Sequence, residues 1–153
     1  MKIAFFGHSF LQNQDSVFLS VEKAILENTR NTDFITFYCG GYGDFDNICA
    51  SVCRKIKKRL KNTELIFITP YITESYQERL SFFVKENLFD SIVYPPLEAV
   101  PLKFAIIKRN EWMIREADLV IVYVSHGFGG AYKSMRYAQR KKKRVINLAE
   151  QSL

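Results

Sequence analysis

The chain predicts an α/β fold: a Rossmann-like, doubly wound and mostly parallel sheet with helices on both faces. Three observations carry this expectation. Apolar periods alternate between strand and helix spacing along the whole length, with short links. The longest purely apolar run, residues 119–124, reads as a central strand buried on both sides. All seven glycines fall in three short clusters, each directly behind a β-prone run. Right-handed crossovers turn such a series into a two-faced sandwich.

Each element follows from its pattern. Residues 2–6 form a buried first strand, and 15–28 carry a helical stripe of Val17, Phe18, Val21, Ala24, Ile25 and Leu26. Residues 34–39 are a second strand. Residues 46–60 are a helix whose apolar face is Cys49, Val52, Cys53, Ile56 and Leu60. A third strand at 65–69 is stopped by Pro70. A helix at 78–88 precedes a short strand at 91–94, which ends at Pro95 and Pro96. After Pro101 come a helix at 102–117, the strand at 119–124, a helix at 130–142 and a last strand at 144–148. No linker, repeat or composition shift divides residues 1–153, so one domain is expected. The stretches 70–77 and 95–101 are the least regular and read as rim loops.

Composition narrows the class. Apolar residues at 48% and charged residues at 25% suit a globular protein, and no apolar run reaches the ~18 residues of a membrane span. The chain starts on a strand with no signal-like region, so a cytoplasmic location is expected. Cys39, Cys49 and Cys53 lack the histidine or fourth cysteine of a zinc set and read as buried thiols. No metal and no cofactor is expected. The net charge of +6 suits an anionic ligand. Two basic runs, 54–59 and 140–144, each fall at a helix end, where cations complement the dipole. No aromatic residue interleaves with 140–144, so nucleic-acid binding is not the leading expectation there.

The glycine clusters mark the expected site, because open α/β sheets bind ligands outside the carboxyl ends of their strands. The first is Gly7 with His8. The second is Gly40, Gly41 and Gly43, followed by Asp44 and Asp46. The third is His126, Gly127, Gly129 and Gly130, opening a helix that carries Lys133 and Arg136 and no acid. A helix start reached through a glycine turn offers unpaired N–H groups and a positive dipole end, which suits a phosphate. The third loop is neither a G-x-G-x-x-G fingerprint nor a P-loop. Asp44 or Asp46 is either an N-cap or a ribose contact. Arg109 is placed to reach a phosphate in bidentate fashion, and Trp112 either packs in the core, the favoured reading, or stacks on a base. Tyr71, Glu74 and Glu98 lie in the rim loops.

The segments Lys108-Arg109-Asn110-Glu111-Trp112-Met113, Ala117-Asp118-Leu119-Val120-Ile121 and Gly127-Phe128-Gly129-Gly130 resemble the SLOG superfamily. That group includes the lonely-guy (LOG) phosphoribohydrolases and the DNA-processing protein Smf/DprA. Gly7-His8, Gly40-Gly41-Tyr42-Gly43 and Thr69-Pro70-Tyr71 look closest to its small stand-alone bacterial members. The resemblance implies a nucleotide-type ligand at the strand exits and a homodimer. The LOG pattern R-K-x-x-M falls on Arg109 and Met113, with Asn110 in place of lysine. Its glycine loop falls on residues 127–130, without the leading proline. Its catalytic glutamate falls near Tyr132 or Ser134, and that helix has no acid. Nucleoside 2-deoxyribosyltransferases, which the segment also resembles, need a glutamate there too. A glycosidic transition state needs a carboxylate, which leaves Asp44, Asp46 or Glu74 as replacements. Three functions are therefore expected in descending order. They are a sensor or carrier for a nucleotide-derived ligand, an N-glycosidic hydrolase or transferase with a relocated acid, and single-stranded DNA binding through 140–144.

Overall fold

A computed structural model describes residues 1–151. Six strands form one sheet: β1 (Lys2–Gly7), β2 (Ile35–Cys39), β3 (Thr63–Ile68), β4 (Ser91–Val93), β5 (Leu119–Tyr123) and β6 (Arg144–Asn147). Their order is β4-β3-β2-β1-β5-β6, and every pairing is parallel. Five helices connect them: α1 (Gln14–Asn28), α2 (Asp44–Arg59), α3 (Glu74–Lys85), α4 (Ala105–Glu116) and α5 (Gly129–Arg140). The fold is the expected Rossmann-like arrangement.

Alternation within the strands divides the core in two. Ile3, Phe5, Ile35, Phe37, Leu65 and Phe67 face α1, α2 and α3, together with the buried Cys49, Cys53 and Ile56. Ala4, Phe6, Tyr38, Ile66, Val120 and Val122 face α4 and α5. Trp112 packs on that second side, 5.7 Å from the Tyr38 ring, as its core reading requires. All three cysteines are buried free thiols, and burial pushes those of Cys49 and Cys53 well up.

Helix ends depart from the sequence pattern. Helix α3 starts a turn earlier than its apolar stripe, where the Thr73 carbonyl accepts from the N–H groups of Tyr76 and Gln77. It stops at Lys85 because Asn87 turns into the left-handed region at φ 55°, letting the Leu88 N–H reach Phe83 O. Lys142 does the same after α5, at φ 57°, with the Lys143 N–H on Ala138 O. The predicted helix at 102–117 divides into a 3-10 turn, Leu102–Phe104, and α4.

The chain builds outward from β1 to β4, then crosses back to place β5 on the other side of β1. At such a reversal the loops leaving adjacent strands diverge to opposite faces and open a crevice. The exits of β1 and β5 are the first and third glycine loops.

Candidate functional site: a cavity at the β1–β5 exits

A cavity of about 750 Å³ occupies this crevice. It is lined by Gly7, His8, Gly40, Asp46, Arg109, His126, Gly129 and Gly130 among the predicted site residues. Gly41, Gly43, Gly127 and Glu74 do not line it. Gly41 covers the Phe67 ring, Gly43 lies against the Ser9 backbone, and Glu74 is exposed at the start of α3.

The two helix starts beside the cavity differ in what they offer. The first N–H groups of α2 are taken: Asp44 N donates to Ser9 O at 2.9 Å and Phe45 N to His8 O at 3.4 Å. Asp44 Oδ2 accepts in return from Leu11 N and Gln14 Nε2. Thus the second loop clamps the first, and Asp44 is a bracing residue. At α5 Gly129 and Gly130 line the cavity, and their amides have no protein partner among the described residues. Unpaired N–H groups at a helix start favour an anion.

Arg109 reinforces that preference. It is only 2% exposed, yet no carboxylate among the described residues lies within 4.0 Å of it. Nη1 donates to Gly40 O at 3.1 Å and Ile68 O at 2.7 Å, and Nε to Asn110 Oδ1 at 2.8 Å. Nη2 has no protein partner. Every sealed side-chain nitrogen or oxygen among the described residues is hydrogen-bonded, so Nη2 opens on the cavity. Arginine therefore offers one free nitrogen here, not the two-pronged grip that the sequence suggested. Gly40 lets the guanidinium lie close, since a Cβ there would sit 3.2 Å from the guanidinium carbon and push it aside by a few tenths of an ångström. Desolvation lowers the Arg109 pKa, and the nearby Asp46 opposes it.

Asp46 is the acid in the cavity wall. Its Oδ2 accepts from Tyr42 N at 2.7 Å, and Oδ1, without a partner, opens on the cavity by the same reasoning. Desolvation raises its pKa to about 6, against the Tyr42 N–H and the Arg109 charge. A carboxyl that titrates near neutrality in a cleft is suited to proton transfer.

Both histidines meet at the rim. The His8 and His126 rings stack at 3.9 Å and 11°, and Phe128 stacks on the far face of the pair, 4.0 Å from His126. His8 Nε2 accepts from Ser125 N at 2.9 Å, so its proton is on Nδ1. Burial, aided by the His126 charge, lowers its pKa. This ring ladder joins the first loop to the third and sets the entry to α5.

Several contributors carry no motif. Asn110 orients Arg109 and lies 3.5 Å from Ser134 Oγ. Ser134 lines the cavity and Tyr132 does not, so a hydroxyl stands at the place where the resemblance puts a glutamate. Phe10, Tyr42 and Phe128 add exposed rings from all three loops, a clue that was present in the sequence as one aromatic per glycine loop. Lys133 and Arg136, expected to make the site basic, do not line it, and among the described residues Asp46 and Arg109 are the only Asp, Glu, Lys or Arg of its lining.

No family model and no curated protein sequence matches the chain. Among solved structures it is similar to DNA processing protein A from Helicobacter pylori, described for its single-stranded DNA binding mode. The TM-score is 0.63 at 19% identity, covering 95% of this chain and 63% of that one. The chain thus spans less than two thirds of that protein's length, and the likeness is one of fold. No helix among the described residues is long and apolar enough to cross a membrane.

Proposed function

We propose that the cavity binds a nucleotide or nucleotide-derived ligand, as a sensor or carrier. The observation that carries this reading is the buried Arg109, its Nη2 open on the same cavity as the unpaired amides of α5. Both groups favour a phosphate, and the rings of Phe10, Tyr42 and Phe128 offer faces for a base. The SLOG resemblance, and a fold neighbour described for binding single-stranded DNA, support a ligand built from nucleotide units. A thermal-shift screen over nucleotides and dinucleotides tests it. A ligand at 100 times its Kd adds about 2.7 kcal/mol, or about 5–10 °C for a chain of this size. A panel without any shift would sink the reading.

Asp46 favours a second reading, hydrolysis of an N-glycosidic bond. Its free Oδ1 takes a proton from water as the water oxygen bonds to the anomeric carbon; the base leaves with the C–N electron pair and is protonated by solvent. The variant Asp46→Asn keeps the acceptor for Tyr42 N and should bind ligand without releasing free base. It should also raise stability at neutral pH by up to about 3 kcal/mol, because the folded pKa of about 6 exceeds the unfolded value of 3.8. Between those values the folded protein holds a proton that the unfolded chain has lost. Wild-type stability should therefore fall as pH rises from 3.8 through about 6, and Asp46→Asn should lose that slope. Denaturant titrations of both proteins across this range check it, and superimposable curves would refute it.

A further inference from the structure

We propose that the end of the sheet opposite the cavity, where strands begin and helices finish, binds the phosphate backbone of nucleic acid. Six segments form this end: residues 1–2, 29–34, 57–63, 85–90, 115–118 and 140–144. They hold thirteen of the 22 Lys and Arg residues but only five of the 16 Asp and Glu. The net charge of +6 therefore divides into +8 at this end and −2 over the rest of the chain. Helix dipoles account for the last-turn cations, such as Lys58, Arg59 and Arg140. They do not account for Lys2, Arg30, Lys61 or Lys142, which lie in strands and links.

The cations are left largely uncompensated. Among the described residues the one ion pair at this end is Lys57 with Asp90. Around Tyr137, Arg115 donates to the hydroxyl at 3.1 Å, while Arg140 and Lys141 lie over the ring at 5.8 and 5.6 Å. Lys143 donates beside them to Arg115 O and Ala117 O. Cations gathered this closely repel one another, and a polyanion relieves that repulsion.

Sheet order sets the spacing. The 57–61 cluster enters β3 and the 140–144 cluster enters β6, four strand intervals apart, or ~19 Å. Arg30 and Lys2 lie between them. Strands rotate by roughly 20–25° per step, so the row is curved. A curved row follows a strand or groove better than a flat membrane. Among the described residues Phe34 is the only large exposed apolar side chain at this end, which gives a lipid surface little to insert.

Fluorescence anisotropy with a labelled homothymidine oligonucleotide and a labelled duplex tests the proposal and separates single-strand from duplex sources. With about four phosphates neutralised, affinity should fall about 50-fold for the single strand and about 150-fold for the duplex between roughly 50 and 200 mM salt. Reversing four exposed charges (Lys58→Glu, Lys61→Glu, Lys141→Glu, Lys142→Glu) should weaken binding at least 100-fold and flatten the salt dependence. Should that protein misfold by circular dichroism, Lys61→Glu and Lys142→Glu separately should each weaken binding severalfold. Unchanged affinity in these variants, or salt-insensitive binding, would overturn the proposal. Sedimentation with phosphatidylserine vesicles but no binding to either oligonucleotide would overturn it in favour of a membrane.

Discussion

Arg109→Ala is expected to lower the unfolding free energy by about 3–5 kcal/mol and to abolish any ligand-induced thermal shift. One side chain serves both ends. Through Nη1 it holds Gly40 O at the β2 exit and Ile68 O at the β3 end, and its removal leaves both buried acceptors without their partner. Through Nη2 it faces the cavity. The stability loss should read as a fall in melting temperature of about 10 °C, measured by calorimetry without ligand. Arg109→Lys separates the roles. It keeps a cation near the cavity but cannot bond Gly40 O, Ile68 O and Asn110 Oδ1 at once. It should therefore lose stability and keep weakened ligand binding. An alanine variant as stable as the parent would show that the two carbonyls find other donors.

The architecture was legible because its signals are periodic. Residues 119–124 announce a central strand by being wholly apolar, and the stripe on 46–60 announces a helix facing the core. Helix ends were less legible, because Asn87 and Lys142 occupy left-handed positions that glycine usually marks. For the site, the glycine clusters located the crevice but not the work of each loop. Asp44 and Asp46 look equivalent in sequence. Yet Asp44 reaches back to Leu11 and Gln14, while Asp46 keeps an oxygen on the cavity. That difference depends on a tertiary contact, the first loop lying across the start of α2. The environment of Arg109 was hidden for the same reason, since its partners are 69 and 41 residues away.

The glycines allow a sharper dissection, because substitution should separate those that build the crevice from those that serve it. Gly43 caps α2 at φ 93° and ψ −174°, a region almost closed to other residues. A Cβ there would lie 2.5 Å from Ser9 Cα, and backbone cannot swing aside. Strain and overlap together put Gly43→Ala at about 3–5 kcal/mol of lost stability. Gly130 is the contrast. It lies within the first turn of α5, and a Cβ there meets nothing within 4 Å. Alanine at 130 should leave the free protein as stable or better by about 0.5–1 kcal/mol, since it stiffens a helical residue. The same methyl would stand where an anion must approach the α5 amides, so ligand affinity should drop at least tenfold. Denaturant melts with and without ligand measure both effects. If Gly130→Ala binds as well as the parent, the α5 amides are not the anion's seat. If Gly43→Ala folds as firmly as the parent, the first loop is not locked by its contact with α2.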